Sequence, residues 1–232
     1  MLGPPPAPDK QFTWTFSDKN GKLRTVTQTP RRFASSLSDP STVKACNGTD
    51  VNNLFSLVND PRNEYWQLLS VAWLGNVYEG QPIRYVNMPM KIIKNACIAM
   101  LKAGHPVFFG CDVGKSSESA HGIMDVDLFD YRLGFNVKID MNKCQRLSVG
   151  ESQMTHAMVL TAVHVEDGKS IRWRVENSWS KSAGTDGYFV MTDRWMDEFV
   201  YQAVVDPSFV GADVRDVLHQ APKVLPFWDP MG

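Results

Sequence analysis

Along residues 11–30, QFTWTFSDKNGKLRTVTQTP, aromatic and β-branched residues alternate with polar ones on both sides of Asp18-Lys19-Asn20-Gly21. Alternation of period two gathers one set of side chains on one strand face. Asn-Gly supplies the positive φ angles of a type I′ turn, so the pattern predicts a β-hairpin. Pro30 then opens PRRFASSL, predicted as a short helix with Thr29 as its cap and proline in its first position. The polar stretch SDPSTVKACNGTDVNN reads as loop, and LFSLVND, stopped by Asp60-Pro61, reads as a buried strand.

The strongest helical signal runs from about Met88 to Lys102. There Ile92, Ile93, Ala96, Cys97, Met100 and Leu101 fall on one face, and Gly104 ends the pattern. PVFFGCDVG predicts a dense apolar strand leading into the Gly- and Ser-rich loop GKSSESAHG. From Met154 the texture changes to four strand candidates, HAMVLTAVHV, SIRWRVENSW, GYFVMT and FVYQAVVD. They are separated by DGKS, by SKSAGTDG and by a helical turn around DRWMDEF, a spacing that predicts an antiparallel sheet or barrel. The tail is one short helix, DVRDVLHQAP, followed by a proline-broken arm, KVLPFWDPMG.

Composition narrows the class. A chain of 232 residues with 43% apolar side chains can bury a substantial core. Its 24 basic and 25 acidic side chains nearly cancel, so charge does not support a nucleic-acid partner. The longest apolar runs fall short of the roughly 20 residues a membrane helix needs, so no membrane partner is expected. MLGPPPAPDKQF has neither a basic leader nor an apolar core, and a cytoplasmic setting is expected. Cys46, Cys97, Cys111 and Cys144 are widely spaced with no CxxC pair, which argues for reduced thiols and against a zinc site; no cofactor or metal is expected. Asn47-Gly48-Thr49 matches a glycosylation acceptor, a pattern that carries nothing without secretion.

Candidate chemistry lies in residues 151–180. His156 stands where the chain enters its most apolar strand, and Asn177 stands where the next strand ends. In a hairpin turning at Asp167-Gly168 the two lie near facing ends. An imidazole held by an amide oxygen is oriented without being forced into its charged form, so it is free to share a proton with a thiol. Trp179 has an indole face able to shield that bond from water.

His-Ala with an apolar strand, then ENSW and Gly187-Tyr188, resembles the surroundings of the catalytic histidine and asparagine of papain-like cysteine proteases. FTWTFSDKNGK, SLVNDPR, VFFGCDVGK, ESQMTHAMVLTAV, RWRVENSWS, GYFVMTDRWMDEFVY and LPFWDPMG look like successive segments of the bleomycin hydrolase family, in order from about Leu2 to Gly232. The resemblance implies an α+β, papain-like fold: its C-terminal β-barrel-like half, preceded by a helix and a hairpin segment. Residues 1–80 would form the hairpin and irregular packing segment, 81–220 the catalytic half, and 221–232 an arm directed to the active-site cleft.

The resemblance also implies a cysteine aminopeptidase that acts through a thioester on peptides with a free N-terminus and assembles as a homohexamer. His156 would be its general base and acid, Asn177 the group that fixes the imidazole and Trp179 their cover. The family places its nucleophile in a glutamine-containing segment ending in Gly-x-Cys-Trp, and none of the four cysteines here is followed by tryptophan. The chain is therefore expected to be the C-terminal half of a longer protease, inactive alone, with an exposed apolar face that lowers its independent stability. Two other readings stay open: a catalytically dead interaction module, and a self-contained thiol hydrolase using Cys111, whose order with His156 and Asn177 matches the superfamily.

Overall fold

The computed structural model describes residues 6–36, 53–75, 80 and 82–232. Contacts divide the chain into two units, Met1–Asn52 and Asn53–Gly232. The predicted loop around Cys46 and the Asn47 motif lie outside the described residues.

In the first unit, β1 (Phe12–Ser17) pairs antiparallel with β2 (Leu23–Gln28), and α1 spans Pro30–Ser36. The hairpin forms as predicted, but its turn is different. Asp18 N donates to Lys22 O, and Gly21 N to Asp18 O. Gly21 is left-handed (φ 75°), and Asn20 is not among the positive-φ residues. This is a three-residue loop with a glycine bulge rather than a type I′ turn. The Asp18 carboxylate decides between them: it accepts from Asn20 N, Lys22 N and Arg24 Nε, which favours the longer loop. Thr29 caps α1 as expected, its Oγ1 accepting from Arg32 N at 3.2 Å. No described residue of this unit is buried.

The second unit is built on an 11-stranded mixed sheet. Its strands are β3 (Phe55–Val58), β4 (Gln67–Val71), β5 (Tyr85–Asn87), β6 (Val107–Cys111), β7 (Ser117–Glu118), β8 (Ile123–Met124), β9 (His156–Glu166), β10 (Lys169–Glu176), β11 (Tyr188–Thr192), β12 (Val200–Val205) and β13 (Lys223–Leu225). Their order across the sheet is β13-β4-β5-β3-β12-β6-β9-β10-β11-β8-β7. The helices are α2 (Met90–Lys102), α3 (Tyr131–Phe135), α4 (Lys143–Ser148), α5 (Asp193–Phe199) and α6 (Ala212–Asp216). β3 and β4 belong to this sheet, and the division by contacts falls after residue 52. Strands β9, β10 and β11 follow one another antiparallel, as their spacing predicts. β12 does not join them: α5 carries the chain across, and β12 pairs with both β3 and β6.

α2 starts two residues later than its apolar pattern, because Pro89 holds extended geometry at the cap (φ −57°, ψ 143°) and proline disfavours helix in the residue before it. It buries Ile93, Ala96, Cys97 and Met100 on one face. Its end is a Schellman motif at left-handed Gly104: Gly104 N donates to Leu101 O and His105 N to Met100 O. Lys94 is also buried on α2, and its Nζ meets the carboxylates of Asp193 (2.7 Å) and Asp197 (2.6 Å). Asp193 in turn accepts from Ser170 Oγ and from Nε1 of the core residue Trp173, so one carboxylate ties α2, β10 and α5 together.

Lys143, on α4, inserts under the other end of α5. Its Nζ donates to Asp197 O and Val200 O and lies 4.7 Å above the Tyr201 ring. Burial pushes this amine down to about 7. The unfolded chain, with an ordinary lysine, binds the proton up to a pH of about 10.4. Between those values the unfolded state holds more protons, so stability rises with pH. In urea unfolding from pH 7 to 9, wild type is expected to gain on Lys143→Met by up to about 1.4 kcal/mol per pH unit. A difference independent of pH contradicts this.

Candidate active site

His156 is the first residue of β9 and stands opposite Cys111, the last of β6. The turn that delivers it is pinned by Asp112, a buried carboxylate. Asp112 accepts from Ser152 Oγ at 2.7 Å and more weakly from Gln153 N and Thr155 Oγ1. Ser152 also meets the Tyr201 hydroxyl at 2.6 Å, which connects this turn to β12. Thr155 N donates to Cys111 O, fixing the register one residue before the imidazole.

Asn177 follows β10 directly, and its backbone N–H donates to Gly187 O. Its Oδ1 lies 2.9 Å from His156 Nε2 and accepts from Ser178 N at 2.8 Å. The Ser178 contact identifies that side-chain atom as the amide oxygen, because a backbone N–H requires an acceptor. An oxygen acceptor there requires the proton on Nε2. In the neutral ring Nδ1 is then the basic atom, turned away from Asn177 and available to a proton donor. Asn177 Nδ2 is buried without a hydrogen-bond partner among the described residues.

Trp179 stacks on the imidazole with centroids 4.9 Å apart and planes inclined by 29°, and meets Phe189 edge-on. The sequence-selected histidine, asparagine and tryptophan thus form one cluster. Trp179→Ala removes about 1 kcal/mol of ring contact and opens the His156–Asn177 bond to water. The expected result is a faster-exchanging, broadened His156 Nε2 proton in NMR spectra. A signal as sharp as wild type contradicts the shielding role.

Cys111, although across from His156, is fully buried. Burial and the adjacent Asp112 carboxylate push its thiol far up, so the site keeps it protonated, the reverse of what a nucleophile needs. Cys97 is raised to about 12 by burial in the α2 core. Among the described residues no group of three or more His, Cys, Asp or Glu could hold a metal ion, and no helix is long and apolar enough to cross a membrane.

The C-terminal arm also reaches this region. β13 adds parallel to β4, Met231 is fully buried, and Pro230 O accepts from Met154 N at 3.1 Å, two residues before His156. Arg62, which sequence reasoning did not single out, bridges the arm to Asp60. Its signal was charge inside two otherwise apolar segments, SLVNDPR and LPFWDPMG.

The model of the Peptidase C1-like family matches residues 1–232. The chain is 43% identical to bleomycin hydrolase of Gallus gallus, 42% to that of Homo sapiens and 40% to aminopeptidase C of Listeria monocytogenes; each match covers 100% of this chain and 50% of the relative. The crystal structure of PepW from Lactobacillus rhamnosis HN001 superposes with a TM-score of 0.83 at 38% identity, over 97% of this chain and 50% of PepW. The chain therefore spans about half the length of the relatives it matches. Its α+β architecture is that of the papain-like fold.

Proposed function

The chain belongs to the Peptidase C1-like family, and from that premise we propose that it supplies the histidine and asparagine half of a cysteine aminopeptidase of the bleomycin hydrolase and aminopeptidase C type. The observation that carries this reading is the 2.9 Å bond from His156 Nε2 to Asn177 Oδ1, which leaves Nδ1 as the basic atom. The nucleophile is a cysteine from a segment outside this sequence. Its thiol gives a proton to His156 Nδ1, and the thiolate adds to the carbonyl carbon of the scissile bond. The imidazolium then protonates the leaving amine, a thioester remains, and His156 draws a proton from the water that hydrolyses it. Asn177 holds the ring through both proton transfers, and Trp179 keeps water from the bond that holds it. Peptides with a free N-terminus are the substrates. Assembly as a homohexamer and a cytoplasmic location belong to the same reading, and the first rests on the family resemblance alone.

The test is reconstitution. The N-terminal half of Listeria monocytogenes aminopeptidase C is fused to this chain, and release of coumarin from an aminoacyl-coumarin amide is followed before and after iodoacetamide. Hydrolysis that iodoacetamide abolishes, with the label on the added half, supports the proposal. A folded fusion without hydrolysis sinks it, and activity of the unfused chain with the label on Cys111 would favour the self-contained hydrolase instead.

A further inference from the structure

Tyr201 is the extra residue of a β-bulge. Across β12 and β6, Val200 pairs with Cys111 and Gln202 with Gly110, so Tyr201 has no partner on β6. Regular alternation would put Tyr201 on the face of Ala203 and Val205. Those two and Val200 pack in the main core, whereas Tyr201 lies in a second cluster with Val58, Leu69 and Leu147. A bulge re-aims one side chain in this way. As a result, the hydroxyl of this fully buried tyrosine lies 2.6 Å from Ser152 Oγ.

The hydrogen bonds that start there have one direction. Ser152 Oγ gives its single proton to Asp112 Oδ2 at 2.7 Å, so toward Tyr201 it can only accept, and the tyrosine donates. Burial pushes the Tyr201 hydroxyl further up, which keeps it a donor at neutral pH. Asp112 passes the constraint on. Its carboxylate accepts from Gln153 N and Thr155 Oγ1, both at 3.4 Å, and its own N–H donates to Phe199 O, two residues before the bulge. Residues 152–155 are thereby held from β12 at one end and from Cys111 O at the other, one residue ahead of His156. They also lie close on β6, where a Cβ at Gly110 would collide with Met154 Sδ. Asp112, Ser152 and Tyr201 are all buried, and cutting a dry network leaves a polar group unpaired.

We propose that Tyr201, Ser152 and Asp112 are positioning residues for the reaction: the bulge hands the position of β12 to the segment that delivers His156, and so keeps the imidazole in line with Asn177 on one side and the thiol on the other. This rests on the aminopeptidase function proposed for the chain. Asn177 holds the ring by its Nε2 edge and Trp179 by its face, while the relay holds the backbone that carries it. An imidazole displaced by about 1 Å is still basic but poorly placed to move a proton, and misplacement on that scale costs up to about 100-fold in rate.

The test uses Tyr201→Phe, which keeps the ring beside Lys143 and removes only the donor, and Ser152→Ala, which cuts the relay at its centre. Ser170→Ala is the control, because it removes a hydroxyl bound to a different carboxylate, Asp193. In the chain as it stands, NMR reads the His156 Nε2 proton and the ring nitrogens. In the fusion with the N-terminal half of the Listeria enzyme, kcat and KM are measured on a leucyl-coumarin amide. Both relay variants are expected to broaden the Nε2 signal and to lower kcat about tenfold, with KM within about twofold of wild type, whereas Ser170→Ala changes neither. Asp112→Asn, which keeps an oxygen for Ser152, should lose less than Ser152→Ala. A wild-type His156 spectrum in both folded relay variants overturns the relay, as does a Ser170→Ala spectrum that moves with theirs. A shifted imidazole signal with unchanged kcat overturns the relay's part in catalysis. A folded wild-type fusion that cleaves nothing overturns the aminopeptidase reading, while the spectra still decide whether the relay positions His156.

Discussion

Replacing His156 by alanine in the cysteine-complemented fusion is expected to lower kcat/KM on an aminoacyl-coumarin amide on the order of 10³-fold or more. The loss should fall on kcat, because the imidazole carries protons in the transition state and contributes little to holding the ground-state peptide. Asn177→Ala should cost less, about 10–100-fold, since the ring remains but loses the acceptor that fixes its tautomer. Iodoacetamide labelling of the supplied cysteine at neutral pH should fall with His156→Ala, because the thiolate would lose its counter-ion, and by less with Asn177→Ala, where the imidazole stays but loses the bond that orients it. A His156→Ala fusion that retained activity within tenfold of wild type would remove the basis of the proposed mechanism, whatever the fold.

The second large effect is on stability. Trp173 is 1% exposed, packs in the main core, and donates its indole N–H to Asp193. Trp173→Ala leaves a cavity of indole size and takes one donor from the carboxylate that joins α2, β10 and α5. A loss of about 3–5 kcal/mol is expected. At roughly 2–4 °C per kcal/mol for a unit of this size, Tm should fall by about 10 °C. Calorimetry on the two proteins measures it, and a drop under about 3 °C would mean that the core closes over the gap or that Asp193 finds another partner.

Where a local rule decides the structure, the sequence was readable. Gly104 ends α2 because only a left-handed residue closes that motif, Thr29 caps α1 because its hydroxyl accepts a helix N–H, and β9–β11 follow from alternation and the Asp167-Gly168 turn. The His156–Asn177 pair was readable for the same reason, since one hairpin joins the two residues. What depends on distant partners was not readable. β12 looks like the next strand of the same meander, yet its place is set by β3 and β6. Arg62 and Asp229 are far apart in sequence, and neither hints at the other.

One local pattern misleads outright. From Phe129 to Met141 every second residue is apolar, which would ordinarily mean a strand. Here the Asp130 side chain accepts from Leu133 N, and Asn136 takes a left-handed φ of 52°, so a single helical turn, α3, forms instead. Its side chains stay outside: Leu133 is 86% exposed and Phe135 75%. Capping chemistry overrides periodicity in this segment.

The position of β12 has a consequence for synthesis. It is the seam of the sheet: the four strands β13-β4-β5-β3 and the six strands from β6 to β7 meet only through it. It also leaves the ribosome after every other strand except β13. Until residues 200–205 emerge, β3 and β6 each present an unsatisfied edge, and β4 waits longer still for β13. The two parts of the sheet are therefore made first and joined afterwards. A nascent chain halted between the completion of β9 and residue 200 would present the open borders of β3, β6 and β4 to neighbouring chains or to a chaperone.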